Sequence, residues 1–154
     1  MPPPIGSLQP ADLHNRALVA NVHPPNWKNP SPTGRYNLVV VGAGTAGLVT
    51  ASIAAGLGAK VALIERYLMG GDCLNVGCVA SKVLVNAARL INTAKRAAEF
   101  SDAIPNTDRI DFGRVMDKVR QIRSSVSSID SADRYTKLGV DIFFGSASFT
   151  SHNT

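Results

Sequence analysis

The sequence predicts an α/β fold built on a parallel sheet and preceded by a Pro-rich extension. Three observations carry that prediction. A short β-branched run, Asn37-Leu38-Val39-Val40-Val41, leads directly into a glycine-rich turn, Gly42-Ala43-Gly44-Thr45-Ala46-Gly47. An alanine-rich segment without strong breakers follows. A second apolar run, Lys60-Val61-Ala62-Leu63-Ile64-Glu65, closes the unit. Strand, turn, helix and strand within about 30 residues is the βαβ pattern of a parallel sheet, here of the Rossmann-like kind.

Taken in order, eight of the nine prolines lie between Pro2 and Pro32. Residues 1–34 are therefore expected to be an irregular or PPII-like extension that need not belong to the core. Leu13, Leu18, Val19 and Val22 suit one short amphipathic turn within it, and Trp27 suits an anchor onto the rest. Residues 35–154 form the domain proper. Residues 37–41 read as a strand buried on both faces, because the apolar run is continuous rather than alternating. Leu48 to Leu57 reads as a helix ending near Gly56 or Gly58. Ala80 to Phe100, with Leu84, Ala88, Ile91 and Ala94 at helical spacing, reads as a long helix. Ser101 to Arg109 contains Pro105 and reads as a loop. Asp111 suits the cap of a further helix carrying Val115, Val119, Ile122, Val126 and Ile129, with Gly139 as terminator. Residues 140–144 read as a strand, and Ser146 to Phe149 as the start of another.

Composition narrows the classes of partner. The net charge is +5, but the densest basic group, Arg114, Lys118, Arg120 and Arg123, is interleaved with apolar helical positions. That is the pattern of a solvated helix face, so no nucleic-acid partner is expected. No run of about 20 apolar residues marks a membrane span, and Met1-Pro2-Pro3-Pro4 lacks the basic and apolar regions of a secretory signal. A cytoplasmic protein with no membrane partner is expected. His14, His23 and His152 lie far from the two cysteines in sequence, so no metal site is expected.

The glycine-rich turn has a physical reason at each glycine. Gly42 permits the tight turn, Gly44 lets the backbone approach a pyrophosphate, and Gly47 lets helix and strand pack closely. The helix N-terminus offers free N–H groups and a positive dipole end to phosphates. Glu65 ends the second strand 23 residues after Gly42, where its carboxylate would accept from the ribose hydroxyls of a dinucleotide. Arg66 beside it reads as a surface residue. The fingerprint alone does not separate FAD from NAD. The cysteines do: Cys73 and Cys78, the only two in the chain, lie five residues apart about where a helix begins. A thiol there is expected to have a lowered pKa through the helix dipole. One sulfur suits contact with a flavin ring and the other, nearer solvent, suits exchange with substrate. Two inert buried thiols are the plainer alternative.

The stretch Gly70-Gly71-Asp72-Cys73-Leu74-Asn75-Val76-Gly77-Cys78-Val79-Ala80-Ser81-Lys82 strongly resembles the redox-active segment of the class I pyridine nucleotide–disulfide oxidoreductases. Residues 39–50 and Leu68 to Cys73 look most like the mercuric-reductase-like branch, with dihydrolipoyl dehydrogenase as the alternative. The resemblance implies an FAD-binding domain in which Gly42, Gly44 and Gly47 hold the pyrophosphate and Glu65 the adenosine ribose. It implies that Gly71 and Asp72 border the pyrophosphate, that Cys78 is the charge-transfer thiol, and that Cys73 is the interchange thiol. Lys82 matches the lysine beside the flavin N5. The implied reaction runs from NAD(P)H through FAD and the Cys73–Cys78 disulfide to a metal ion or disulfide substrate.

Two departures from the family pattern stand out. Ala80 replaces the usual proline, which is expected to loosen the start of the helix. The family's nicotinamide-binding domain and its C-terminal interface domain, which makes the homodimer, do not follow in this sequence. The chain is thus expected to be an incomplete, truncated FAD-binding portion. A catalytically silent FAD-binding or interaction protein is the competing reading, and a split enzyme with the missing domains on another polypeptide is a third.

Overall fold

Three parallel strands form the sheet in the computed structural model, which describes residues 8–101 and 110–151. They are β1 (Leu38–Val41), β2 (Val61–Glu65) and β3 (Val140–Phe144), in the spatial order β1-β2-β3. Val40 pairs with Leu63, and Leu63 with Ile142, so the strands run in register toward one common carboxyl end. The helices are α1 (Leu13–Val22), α2 (Thr45–Gly56), α3 (Gly71–Asn75), α4 (Cys78–Ala98), α5 (Phe112–Ser127) and α6 (Ala132–Lys137). The α/β class, the parallel sheet and the first βαβ unit are as the sequence predicts.

The central strand β2 is the most buried, with Val61 and Leu63 fully enclosed. Around it pack Leu18, Val22, Leu48, Met69, Leu74, Tyr135, Val140 and Ile142 as one cluster. Against expectation, β1 is buried on one face only. Leu38 and Val40 turn to the core, whereas Val39 and Val41 are 51% and 66% exposed. β1 is one of the two edge strands, and its second face is the more open one.

The Pro-rich extension departs further from expectation. It holds a ten-residue helix, α1, capped by Asp12, whose side chain accepts from the Asn15 N–H. Leu18 and Val22 of α1 are wholly buried and belong to the main core. The segment after α1 is fastened along β3. Trp27 Nε1 donates to the Ile142 carbonyl at 3.3 Å, the anchoring role expected of it. The Asn29 side chain donates to the Phe144 carbonyl and accepts from the Phe144 N–H, at 3.0 and 2.8 Å, as a neighbouring strand would. An edge strand satisfied by a side-chain amide is blunted against stray pairing.

The single helix expected after Asp111 is two. Asp111 caps α5 as predicted, accepting from the Arg114 N–H. The helix stops at Ser127 within a serine-rich run. There Ser125 Oγ donates to Gln121 O, Ser127 Oγ to Ser124 O and Ser128 Oγ to Ser125 O. Such bonds compete with the helical ladder. Ser131 then caps α6, and Gly139, at φ +86°, ends it. Residues 146–149 form no strand. The loop expected over 101–109 lies, beyond Ser101, outside the described residues.

The stretch Gly71–Ala98 is, by length and composition alone, long and apolar enough to cross a membrane, contrary to the sequence expectation. It is not one rod, however. The chain breaks between α3 and α4 at Val76 and Gly77, and α4 itself carries Lys82, Arg89, Lys95 and Arg96.

Candidate functional site

The carboxyl ends of the three strands open into a cavity of about 430 Å³ lined by Val41, Gly42, Ile64, Glu65, Arg66, Gly145, Ser146 and Ala147. In open α/β sheets this end of the strands is where ligands bind. The glycine-rich turn forms one wall. Gly42 adopts φ +99°, a left-handed conformation, while its N–H still bonds to Ile64 O at 2.8 Å. Gly47 has no room for a side chain, since a Cβ there would sit 1.9 Å from the Gly42 carbonyl oxygen. Gly44 has an ordinary conformation and caps α2 without any side-chain acceptor. Its neighbour in space is Gly71, whose Cβ, if present, would lie 2.7 Å from the Gly44 Cα.

Glu65 is buried, and both its oxygens are engaged. One accepts from the Ala43 N–H at 2.7 Å, in the middle of the glycine-rich turn, and the other from the Tyr67 N–H at 2.8 Å. The carboxylate therefore pins the turn to the end of β2, a structural duty its sequence position does not reveal. Each carboxylate oxygen retains a second acceptor direction, on the cavity that Glu65 lines. Arg66 is exposed, as expected, and stands at the rim of the same cavity.

The two sequence motifs meet. Gly70 N–H bonds to the Ala43 carbonyl at 2.8 Å, which ties the start of α3 to the glycine-rich turn. Cys73 follows in α3 and Cys78 is the first residue of α4. Both are free thiols, Cys73 half-buried and Cys78 exposed. The two thiols are close enough to influence one another's ionisation, and Thr45 at the start of α2 also acts on Cys73. Gly77 makes the return between the helices possible, because a Cβ there would lie 2.9 Å from the Asp72 carbonyl.

Charge at this pair differs from the sequence expectation. The hydrogen bond with Cys78 is the main influence that pushes the Cys73 pKa up, with burial and the charge of a Cys78 thiolate adding to it. Thr45 and the Lys82 ammonium pull the other way without prevailing. Two sulfurs this close share a proton more readily than they hold two charges. The dipole of the five-residue α3 does not reverse that.

Lys82 lies one turn beyond Cys78 on α4 and is exposed, close enough for its charge to be felt at Cys73. It also lines an apolar groove of about 590 Å³ between α4 and α5, with Val79, Val83, Leu90, Val115 and Ile122. Gly71 and Asp72 form the first turn of α3, Asp72 exposed and Gly71 against Gly44. Every predicted site residue thus belongs either to the glycine-rich turn and cavity or to the α3–α4 corner that touches it. Sequence reasoning does not point to Ala43, whose N–H is held by Glu65 and whose carbonyl holds Gly70, because that linkage is made by its backbone and leaves no side-chain signal.

Residues 36–154 match the family of the pyridine nucleotide-disulphide oxidoreductases. The chain belongs to that family. Among its relatives, a dihydrolipoyl dehydrogenase of Geobacillus stearothermophilus is 38% identical over 117 residues, 75% of this chain and 24% of that protein. A dihydrolipoyl dehydrogenase of Acholeplasma laidlawii is 33% identical over 122 residues, 77% of this chain and 35% of that one. A mercuric reductase of Staphylococcus aureus is 32% identical over 121 residues, 79% of this chain and 22% of that one. A copper(II) complex of a mutant of the flavoprotein disulfide reductase RclA from Escherichia coli superimposes with a TM-score of 0.59 at 25% identity, covering 76% of this chain and 23% of that structure. The chain therefore spans about a quarter to a third of these relatives. Dihydrolipoyl dehydrogenases and mercuric reductases match this chain comparably, so the similarity does not single out the mercuric branch.

Proposed function

We propose that this chain is the FAD-binding, dithiol-bearing portion of an NAD(P)H-dependent disulfide oxidoreductase. The observation that carries the reading is the contact between the two motifs. The Gly70 N–H to Ala43 O bond and the apposition of Gly71 with Gly44 set the corner that bears Cys73 and Cys78 against the start of the helix that a dinucleotide pyrophosphate would occupy. The residues present fit such a cofactor. Gly44 leaves the α2 N-terminus clear of side chains, and Glu65 faces a cavity of the right chemistry for ribose hydroxyls. When bound, FAD supplies a two-electron reservoir that returns the cysteine pair to its dithiol form and is itself refilled by NAD(P)H. Gly42, Gly44, Gly47, Gly71 and Asp72 would border its phosphates, and Glu65 would hold its ribose. Cys78, exposed at the head of α4, leaves a face that a ring could cover, with Lys82 one turn further on.

The chain's own step is thiol–disulfide exchange. The Cys73 thiolate attacks one sulfur of a substrate disulfide, which forms a mixed disulfide and releases one substrate thiol after protonation. The Cys78 thiolate then attacks the Cys73 sulfur, closing the Cys73–Cys78 disulfide and releasing the second substrate thiol. Two electrons pass to the substrate. A soft metal ion is the alternative acceptor, since paired thiolates are soft ligands and one group of relatives is named for mercuric ion. The homodimer and the nicotinamide site of the whole enzyme would require segments that this chain does not match.

The test is to incubate the purified chain with FAD, desalt it and record the visible spectrum. Retained flavin absorption, with a long-wavelength charge-transfer band on reduction by a dithiol, is the expected result. A colourless protein would remove FAD binding by this chain, and flavin without the charge-transfer band in both the parent and Cys78→Ser would remove the role of Cys78.

A further inference from the structure

We propose that the groove between α4 and α5 is the docking site of an amphipathic helix from a partner protein, one whose apolar stripe is flanked by carboxylates. This surface is distinct from the cavity at the strand ends and needs no flavin. α4 is 21 residues long, and none of them is buried. Yet Val79, Val83, Ala87 and Leu90 recur along it at spacings of three and four, the apolar stripe of a helix that packs against something. α5 offers Val115, Ile122 and Val126 across from them, and the two helices leave between them the cavity of about 590 Å³. Leu90, at its margin, is 63% exposed, so the stripe is only partly used within the chain. From Val79 to Leu90 the groove follows α4 for about 16 Å, or three helical turns. That length over an apolar floor suits the successive anchors of a helix laid in a groove.

Charge selects the partner. Among the described residues that line the groove, every charged side chain is a cation: Lys82 from α4, and Arg114 and Lys118 from α5. The bias extends beyond the groove. α4 carries Lys82, Arg89, Lys95 and Arg96 and no acid, and α5 carries Arg114, Lys118, Arg120 and Arg123 against Asp117 alone. Asp117 is engaged by Arg120 at 3.2 Å. Arg114 reaches Asp111 at 3.5 Å, but both side chains are largely exposed, so that pair is weak and screened. Lys118 donates to the neutral Gln121 side-chain oxygen at 2.8 Å and keeps its full charge. A helix that fills the apolar floor must set its flanks beside these cations, where carboxylates gain and ammonium groups are repelled. A second copy of this face would bring like charge onto like. A flat lipid surface would meet the rims before it reached the floor.

The experiment titrates the full chain into a fluorescein-labelled synthetic helix of about five turns, with a leucine stripe along one face and glutamate on both flanks, and follows anisotropy. A second peptide keeps the leucines and has lysine in place of every glutamate. The acidic peptide is expected to bind at least about tenfold more tightly than the basic one, the effect of a few rim charges, and the margin should shrink as salt is added. Leu90→Asp should weaken binding of the acidic peptide at least about tenfold through loss of an apolar contact. Arg114→Glu combined with Lys118→Glu should invert the preference between the peptides. Leu90, Arg114 and Lys118 are all exposed, so far-UV circular dichroism of these variants should match the parent. Lys82 is left intact because of its place beside the dithiol. Failure of the acidic peptide to bind, equal affinity for the two peptides, or binding untouched by Leu90→Asp overturns the proposal. A dimer in sedimentation velocity that Leu90→Asp dissociates also overturns it and gives the groove to a second copy. Binding to vesicles of phosphatidylserine and phosphatidylcholine that Leu90→Asp abolishes, without peptide binding, overturns it in favour of a membrane.

Discussion

Replacing Gly47 by alanine separates packing from cofactor contact within a single motif. An added Cβ at Gly47 would lie 1.9 Å from Gly42 O, 3.1 Å from Gly42 C and 3.2 Å from Val40 Cγ1. The oxygen contact is about 1 Å short of anything tolerable. Gly42 has little freedom to retreat, because its N–H is held by Ile64 O at 2.8 Å. The first turn of α2 must therefore lift away from β1, and the buried Leu48 and Ala51 must lift with it. Overpacking against backbone costs about 3–5 kcal/mol, and the better helix propensity of alanine over glycine offsets about 1 kcal/mol. A net loss of about 2–4 kcal/mol should appear as a lower urea midpoint by far-UV circular dichroism with an unchanged slope. Gly44→Ala is the control. Its φ is −76°, and its Cβ would make only an ordinary 3.8 Å contact with Gly71. It should lose about 1 kcal/mol, as alanine does at an N-cap, and keep its fold while binding FAD at least about tenfold more weakly through obstruction of the phosphate approach. A Gly47→Ala midpoint within error of the parent would refute the steric reasoning.

Glu65→Gln should cost about 2–3 kcal/mol in urea unfolding, because whichever way the amide turns, its nitrogen meets the Ala43 or Tyr67 N–H; an unchanged midpoint would contradict the pinning role. Asn29→Ala removes both side-chain bonds to Phe144 and should lower the protection of the Phe144 amide against hydrogen exchange, by about 1 kcal/mol of local stability, without altering that of β2. Asp12 at the head of α1 gives a pH dependence. Burial works to raise its pKa, but the Asn15 N–H and the Arg120 guanidinium outweigh that and hold the carboxyl below its ordinary value. Its contribution is therefore present above the unfolded-state pKa, about 3.9, and lost as the pH falls through the lower folded value. Stability measured from pH 5 downward should decline less steeply in Asp12→Asn than in the parent; identical acid limbs would show that Asp12 plays no part in docking α1.

What the sequence made legible was local. The β-branched runs at 38–41 and 61–65, the cap at Asp111 and the stop at Gly139 each announce themselves within a few residues, because propensity and capping are short-range effects. The extension was not legible for the opposite reason. Its prolines describe its composition truly, yet the extension is ordered by partners on α5 and β3, such as Ser127, which accepts from Asn21 of α1, and Phe144, which pairs with Asn29 beyond α1. Burial of β1 was misjudged from the same limit, since a run of valines states that a strand is apolar but not that its edge position leaves Val39 and Val41 uncovered. The break at Ser127 was readable in principle, because four serines in five residues (124–128) are a plain signal of side chains competing for helix carbonyls.

The candidate site shows how the two kinds of information combine. Gly42, Gly44, Gly47 and Glu65 were recognisable from spacing alone, and so were Cys73 and Cys78. Their mutual dependence was not. In space Gly71 depends on its place against Gly44, since a Gly71 Cβ would clash with the Gly44 Cα at 2.7 Å, whereas a Gly44 Cβ would make only an ordinary 3.8 Å contact. The carboxylate that suits a ribose also holds the turn through Ala43, and the Ala43 carbonyl in turn holds α3 through Gly70. Glu65, the glycine-rich turn and the cysteine corner thus form one hydrogen-bonded chain. A substitution meant to probe the cofactor at Glu65 will also move Cys73. The thiol chemistry of Glu65→Gln should therefore be measured beside its flavin affinity. If Cys73 alkylates at the parent rate while the turn is destabilised, the two motifs are neighbours without being coupled.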